Sequence, residues 1–218
     1  MAILRSEIET TIQNYVNRTD LAAYVGTWFS IAHREIQRPH DFKFQETSVD
    51  ITIVNNQNSY NVLNAGGAAT DLKTPWNVQV YNPSTAKLGA FYTMLGFANV
   101  LDRRTLDDLN AEVLESGGIA GIWAGNLEVW PTPGTELAGQ KFRLYYCKWL
   151  PVPATTASDW LTDNARDVLL YRALIETAPF LKEDPRITMW FEMFERANKS
   201  FLGPEIASKH VGPLLMRG

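Results

Sequence analysis

The spacing of apolar residues changes twice along this chain, and that change limits the folds it can adopt. From Leu4 to Val16 the apolar residues recur every three or four positions, which is the period of one helix face. From Val49 to Ile53 they alternate with other residues, which is typical of a β-strand. The helical period returns after Asp159 and continues toward the C-terminus. This order of helices, strands and helices predicts an α+β fold.

Capping and breaking residues divide the helical regions into separate helices. Near the N-terminus the sequence predicts two helices in an antiparallel hairpin, with Asp20 capping the second. The stripe of that second helix consists of Leu21, Tyr24, Val25, Trp28, Phe29, Ala32 and Ile36. Near the C-terminus, Asp159 caps one helix, and Asp184, followed by a proline, caps the next. The stripe of this last helix consists of Met189, Trp190, Met193, Phe194, Ala197 and Phe201, and Gly203-Pro204 is predicted to end it.

The middle of the chain predicts a mostly antiparallel sheet of about six strands. The strands are residues 49–54, 60–63, 76–81, 87–95, 126–130 and 141–148, with one short helix over Thr105–Glu115 that Gly117-Gly118 ends. The predicted fold is α+β, with N- and C-terminal helices packed as a helical bundle, an inserted β-sheet domain and a C-terminal extended arm. The predicted domains are residues 1–40 with 155–202 for the bundle, 41–154 for the β-rich insertion with its short helix, and 203–218 for the arm.

Composition narrows the classes of function. The formal net charge of −4 argues against a surface that grips the DNA backbone, but not against a surface that DNA merely passes. No apolar run reaches the roughly 18 residues of a membrane span, and the N-terminus lacks the layout of a secretory signal. The single cysteine, Cys147, lies in an apolar strand. We therefore expect a buried, unreactive thiol and synthesis in a reducing cytoplasm.

The sequence offers no arrangement of side chains that is typical of a reaction centre or a metal site. It has no glycine-rich loop followed by Lys-Ser or Lys-Thr, so it lacks the phosphate-binding loop used in nucleotide hydrolysis. The three histidines, His33, His40 and His210, are far apart and lack carboxylates or cysteines at metal-ligand spacing. We expect His33 to be a solvated residue on the surface of its helix. The sequence therefore predicts no enzyme, no metal and no cofactor.

The seven tryptophans leave one alternative open. Those on helical stripes, Trp28, Trp160 and Trp190, are predicted to pack in the core. The others belong to the sheet and its edges, where core and interface roles both fit: Trp76, Trp123, Trp130 and Trp149. A small-ligand-binding module that uses these sheet tryptophans is therefore an alternative function.

Four stretches of the chain, in order, match the sequence pattern of one protein family. Residues 12–21 (IQNYVNRTDL) are similar to its first helix, its R-x-D-L junction and its second helix, and residues 28–38 (WFSIAHREIQR) to its I-x-L-A-E-x-x-I-x-R helix. Residues 123–133 (WAGNLEVWPTP) are similar to its G-x-L-x-L-x-P-x-P strand and turn. Residues 159–181 are similar to its N-W-L…L-Y-x-A-L-x-E-A-x-x-F-L helix. The chain thus resembles the head-to-tail adaptor (head-completion, connector) proteins of tailed double-stranded DNA bacteriophages.

The match spans nearly the whole chain, and the departures from the family pattern are few. His33 stands where glutamate is common, and Asp159 stands where asparagine is usual. Residues 57–101 diverge more broadly, which affects the details of the sheet.

The resemblance implies a structural role in the virion. Such adaptors form a dodecameric ring beneath the portal protein, extend the DNA channel and present a surface to the tail or nozzle protein. Viral DNA passes through the lumen without sequence recognition, and the acidic charge balance fits such a wall. The resemblance also implies a location at the virion neck after synthesis in the host cytoplasm. Another tail-completion or connector component is the alternative virion role.

In this family a C-terminal extension commonly docks on the portal, and the candidate in this chain is residues 203–218. The resemblance assigns portal docking to Pro204, Lys209, His210, Val211, Pro213, Leu214, Leu215, Met216 and Arg217. Basic and apolar side chains between glycine and proline breakers suit a segment that becomes ordered in a groove of its partner. The alternative is a frayed terminus without a partner.

Overall fold

The computed structural model describes residues 2–97, 117–181 and 184–210. The chain divides into two compact units. Residues 1–44 and 151–218 form the helical unit, and residues 45–150 form the sheet unit. Each unit has its own elements and its own buried residues.

The helical unit contains six α-helices within its described residues. They are α1 (Arg5–Val16), α2 (Val25–Gln37), α3 (Trp160–Asn164), α4 (Arg166–Ile175), α5 (Ala178–Leu181) and α6 (Arg186–His210). A 3₁₀ helix, Thr19–Tyr24, joins α1 to α2, and another, Lys43–Gln45, precedes the first strand. Helix α1 ends at Asn17, whose φ of 53° is the left-handed conformation that asparagine tolerates at a helix terminus.

Aspartates cap two of the helices, as the sequence predicts. At α3, Asp159 Oδ1 accepts a hydrogen bond from the backbone N–H of Thr162, and Thr162 Oγ1 accepts one from the backbone N–H of Asp159, both at 2.8 Å. This reciprocal pair is a capping box. At α6, Asp184 Oδ1 accepts from the backbone N–H of Arg186 at 2.9 Å. The predicted cap at Asp20 is wrong, because Asp20 lies inside the 3₁₀ helix and pairs with a neighbouring arginine instead.

Helix α4 supplies the centre of the helical unit, where it contacts α1, α2 and α6. Its residues Leu169, Ala173 and Leu174 are completely buried. The neighbouring helices bury Ile8, Ile12 and Val16 of α1, Trp28, Phe29, Ala32 and Ile36 of α2, and Trp190 and Ala197 of α6. Fully burying one leucine contributes about 1.5–3 kcal/mol. The stability of this unit therefore depends on residues that precede the last turns of α6.

The sheet unit is built on one seven-stranded sheet. Its strands are β1 (Glu46–Thr52), β2 (Ser59–Asn61), β3 (Leu72–Asn82), β4 (Lys87–Phe97), β5 (Gly117–Trp123), β6 (Asn126–Trp130) and β7 (Lys141–Lys148). Their order in the sheet is β1-β7-β3-β4-β5-β6-β2. The pair β4–β5 is parallel and the other neighbouring pairs are antiparallel, so the sheet is mixed.

Chain connectivity requires this sheet to curl. Strands β1 and β2 lie at opposite ends of the strand order, yet only residues 53–58 join them. Laid flat, seven strands at about 4.8 Å spacing would hold the edges about 29 Å apart. The fully extended connection reaches at most about 24 Å. All seven strands contribute to one buried cluster, and the ring of Tyr60 on β2 packs 5.5 Å from that of Phe142 on β7. The sheet therefore wraps around its own core.

The predicted fold class, with terminal helices in a bundle, an inserted mostly antiparallel sheet and an extended arm, is wrong. The helices are unequal in length and gather around α4, so they do not form a clear bundle of terminal helices. The sheet has seven strands and is mixed. The chain also does not leave the helix at Gly203-Pro204, because α6 continues to His210 and no extended arm starts there.

Strand β5 shows why local sequence misled the prediction. Its first residues, Gly117-Gly118, resemble a helix stop, but they pair with β4. Gly118 has a φ of 151°, and a Cβ there would collide with the carbonyl oxygen of Trp130 and the ring of Tyr92. Glycine is therefore required by close neighbours and not by a turn. The predicted helix Thr105–Glu115 lies outside the described residues.

Candidate attachment site

A cluster of aromatic rings fixes the last part of α6 in the helical unit. We name the rings of Phe42, Phe44, Trp160 and Phe201 the aromatic anchor. The ring centroid of Phe201, on α6, lies 5.3 Å from that of Phe42 and 6.0 Å from that of Trp160. Trp160 stacks on Phe44 with centroids 3.7 Å apart. The aromatic anchor therefore holds α6 immediately before the predicted docking segment.

The spacing of buried residues on α6 explains how Phe201 reaches the aromatic anchor. Trp190, Ala197 and Phe201 are separated by seven and four residues, which places them on one helix face. Trp190 and Ala197 are buried. Met189 and Met193 were predicted on the same stripe, but they are 45% and 39% exposed. The buried stripe is therefore narrower than the sequence predicts, and it leaves two methionines on its flank.

The predicted docking residues lie only partly within the described residues. Pro204 lies in α6 and is exposed, and Lys209 and His210 are the last residues of that helix. The remaining predicted docking residues lie outside the described residues: Val211, Pro213, Leu214, Leu215, Met216 and Arg217. Portal docking by this segment stays a prediction, and the structure adds that the segment begins as helix.

His33 is buried, so the prediction of a solvated surface histidine is wrong. Its side chain is fully buried, and its Nε2 lies 2.7 Å from Asp159 Oδ2. Its Nδ1 lies 3.0 Å from Nε2 of Gln37, which is an amide donor. Nδ1 is therefore the acceptor, and the ring proton lies on Nε2, which donates to Asp159. The sequence does contain a signal for this burial, because His33 lies four residues after Phe29 of the buried stripe. The two rings stack with centroids 6.0 Å apart.

Asp159 has two structural roles in the helical unit. Burial alone would raise the pKa of Asp159, but hydrogen bonds from His33 and from the backbone N–H of Thr162 hold that pKa below its ordinary value. The ionised carboxylate both caps α3 and orients the imidazole ring. Because Trp160 follows Asp159 directly, the cap also positions a ring of the aromatic anchor. A buried imidazole with both nitrogens engaged fits this supporting role better than proton transfer to a substrate.

A half-exposed aromatic patch is a second candidate contact surface. Tyr24 and Phe180 are 47% and 40% exposed, and their ring centroids are 5.4 Å apart. Both rings lie on the buried Trp28. The sequence predicts Tyr24 on the apolar stripe of the second helix, but Tyr24 ends the 3₁₀ helix before α2 and is exposed. Aromatic residues are enriched at protein interfaces, so this exposed pair suits a protein contact.

The exposed tryptophans of the sheet lie on different strands. Trp123 pairs with Asn126 at one end of β5–β6, whereas Trp130 pairs with Ile119 at the other end. The four-residue offset along β5 corresponds to about 13 Å. Trp76 lies on β3, which β4 separates from β5. Stacking on a sugar or a base needs rings on one small surface, which Trp123 and Trp130 do not share.

Other residues singled out by the sequence have packing roles. Cys147 is completely buried, and its Sγ lies 3.6 Å from Gln45 Oε1, which confirms the prediction of a buried thiol. Of the predicted core tryptophans, Trp28 and Trp190 are buried and Trp160 is half-buried. Among the described residues, no group of three or more His, Cys, Asp or Glu side chains could hold a metal ion. No helix in the described part of the chain is long and apolar enough to span a membrane.

Comparison with known proteins gives a family match over most of the chain. The family model described as SU10 adaptor protein matches residues 5–208. No curated protein matches the chain. The matched range includes residues of both units and ends inside α6.

Proposed function

The chain belongs to the SU10 adaptor protein family, a family of phage head-to-tail adaptors, and we propose that it forms a ring between the portal and the tail or nozzle. The family match carries the proposal, because it covers residues 5–208 and so includes parts of both units. The match confirms the resemblance found in the sequence. The protein is accordingly a virion component that interacts with other virion proteins.

In this proposal the copies assemble as a dodecameric ring at the virion neck and extend the DNA channel. The net charge of −4 supports a wall that DNA passes without sequence recognition, because acidic side chains repel the phosphate backbone. The role is structural and not enzymatic. The protein is made in the host cytoplasm and joins the virion during assembly.

The C-terminal segment, residues 204–218, is the proposed contact with the portal. The aromatic anchor fixes Phe201, and the chain is exposed again at Gly203 and Pro204. Lys209 and Arg217 are basic, and the residues between them are largely apolar. A portal groove with apolar walls and acidic rims would complement this chemistry.

The proposed division of labour follows the predicted domains. Residues 1–40 with 155–202 hold the docking segment, residues 203–218 reach the portal, and residues 41–154 form a separate β-rich part. The burial of Trp190 and Ala197, which keeps α6 packed before the segment starts, supports the first of these roles.

Imaging in negative stain tests the ring directly. The protein is mixed with the portal protein from the same phage genome and compared with each protein alone. The expected result is a second ring stacked coaxially on the portal, absent when either component is omitted. A well-folded protein that shows no association at physiological salt would contradict the proposal.

Removal of residues 204–218 tests the docking segment. We expect an unchanged thermal unfolding midpoint, because the described core lies before Gly203, together with loss of the stacked ring. The double variant Glu195→Ala/Lys199→Ala is the control, since it changes exposed charges on α6 outside the segment. Normal docking by the truncated protein would show that the portal contact lies elsewhere.

The same imaging separates the alternative functions. Association with a tail protein but not with the portal would identify another tail-completion or connector component. The small-ligand-binding alternative has less support, because Trp123 and Trp130 lie at opposite ends of β5–β6. Specific quenching of tryptophan fluorescence by a ligand would favour that reading.

A further inference from the structure

Helix α6 passes through the two residues least suited to a helix interior. Gly203 and Pro204 lie within the range Arg186–His210. Proline has no N–H to donate to the carbonyl of Ser200, and its ring crowds that carbonyl. Glycine retains more conformational freedom than any other residue, so fixing it in a helix is unfavourable. Two consecutive positions therefore weaken the helix at one point.

The packing of α6 ends at the same point. Ala197 is buried and Phe201 lies in the aromatic anchor, so the helix is held up to that turn. A Cβ placed on Gly203 would meet no atom within 4 Å, and Pro204 is exposed. Neighbouring side chains therefore do not enforce helical geometry at Gly203.

The helix beyond Pro204 is short. Residues 205–210 make fewer than two turns, whereas isolated helices become marginal in water below about 12–15 residues. Residues 205–210 are therefore helical mainly because they continue the packed part of α6, and the glycine and proline weaken that continuation.

We propose that Gly203-Pro204 is a joint at which the C-terminal segment changes direction relative to the packed part of α6. The aromatic anchor fixes the helix up to Phe201, and the residues after Pro204 turn to meet the partner surface. The direction can change without disturbing the core around α4, because that core uses residues before Gly203. The joint itself is inferred from the residues and packing of α6, and the identity of the partner rests on the proposed portal contact.

Amide hydrogen exchange on the full-length free protein tests the joint without any partner. We expect amides of residues 205–210 to exchange at least about 100-fold faster than those of residues 190–201. Gly203→Ala/Pro204→Ala restores a backbone donor and a helix-forming residue, and it should slow exchange at 205–210 at least about tenfold. Lys199→Ala/Ser200→Ala is the matched control, since these exposed substitutions precede the joint and should leave that exchange unchanged. Equal protection of both regions in the unaltered protein, or no slowing in the joint variant, would overturn the proposal.

Portal binding then tests what the joint does. The substitutions Gly203→Ala/Pro204→Ala favour a continuous helix, and bending that helix before docking costs free energy. This variant should therefore bind the portal at least about tenfold more weakly than the control variant. Equal or tighter binding would show that docking needs no change of direction, and it would overturn the role given to the joint. If the unaltered protein does not bind the portal, the proposed function fails, whereas the exchange measurement still decides whether the joint exists.

Discussion

His33 Nε2 lies 2.7 Å from Asp159 Oδ2, so two residues that are 126 positions apart in the chain form one side-chain hydrogen bond. In the adaptor pattern that the chain resembles, glutamate is common at the position of His33 and asparagine is usual at that of Asp159. In the pair found here, the imidazole of His33 donates a hydrogen bond to the carboxylate of Asp159. A Glu–Asn pair would also place a donor against an acceptor, because the asparagine amide can donate to the glutamate carboxylate. We therefore expect a Glu–Asn pair to be accepted at these two positions in place of His33 and Asp159.

Exchanging this pair tests that expectation. His33→Glu alone places two carboxylates in a buried site and should lower the free energy of unfolding by about 3–5 kcal/mol. Asp159→Asn alone keeps a capping oxygen and should cost about 1–2 kcal/mol. The double variant His33→Glu/Asp159→Asn should recover most of the combined loss, because a donor again faces an acceptor. Urea unfolding of the four proteins gives the coupling energy.

Asn14→Glu is the control for introducing a glutamate, because Asn14 is exposed on the same unit. Its effect should stay within about 0.5 kcal/mol. Additive losses in the double variant would show that His33 and Asp159 do not act as a pair.

Acid should weaken the helical unit through Asp159. Hydrogen bonds from His33 and Thr162 hold the pKa of this carboxyl below its ordinary value, despite its burial. Its contribution is therefore complete above the unfolded pKa of about 4 and is lost as the pH falls through the lower folded pKa. The stability difference between the unaltered protein and Asp159→Asn should therefore stay constant at neutral pH and shrink as the pH falls below about 5.

Urea unfolding at a series of pH values, followed by tryptophan fluorescence, measures that difference. Trp28 and Trp190 are buried in the same unit, so their emission reports its unfolding. A stability difference that stays constant over the whole range would show that folding does not favour the ionised carboxylate.

The sequence predicts the elements that residues a few positions apart determine. The caps at Asp159 and Asp184 depend on the next two or three residues, and both are found. Strands β6 and β7 have the predicted bounds, because their apolar alternation and flanking turns are local signals. Local chemistry therefore accounts for the starts of α3 and α6 and for the clearest strands.

The failed predictions depend on residues far apart in the chain. The spacing from Phe29 signals that His33 is buried, but its hydrogen-bond partner, Asp159, lies 126 residues away, and no pattern on its own helix specifies that partner. Strand β5 is recognisable only through its parallel pairing with β4. Helix α6 continues through Pro204 although glycine and proline disfavour a helix, because the packed turns before Gly203 stabilise it.

Gly118→Ala should destabilise the sheet unit strongly. A Cβ at this position would collide with the backbone oxygen of Trp130, which cannot rotate away, and with the ring of Tyr92. The backbone φ of 151° adds strain for any residue with a side chain. We expect a loss of at least about 3 kcal/mol in the free energy of unfolding.

Gly139→Ala is the matched control for Gly118→Ala. Gly139 also has a positive φ, 81°, but a Cβ there would meet nothing within 4 Å. Gly139→Ala should therefore lower the free energy of unfolding only by the backbone strain, about 1–2 kcal/mol. Similar losses for the two variants in urea unfolding would mean that close packing around Gly118 does not require glycine.

Phe201→Ala should loosen the end of α6 while leaving the core around α4 in place. Phe201 is half-buried against Phe42 and Trp160, so the expected loss is about 1–2 kcal/mol, less than the 3–5 kcal/mol of a fully buried phenylalanine. Phe201→Leu keeps apolar volume at the same place and should lose less than half as much. Urea unfolding measures the global effect, and amide exchange at residues 198–202 measures the local one.

The local effect distinguishes the aromatic anchor from the rest of the α6 stripe. Met193→Ala is the control, because Met193 is exposed on the same helix and should change neither measurement much. If Phe201→Ala leaves exchange at residues 198–202 unchanged, Trp190 and Ala197 alone hold the helix, and the docking segment has no fixed base at Phe201. If exchange there rises at least about tenfold in Phe201→Ala and stays near its original rate in Phe201→Leu, apolar contact at the aromatic anchor sets where the free segment begins.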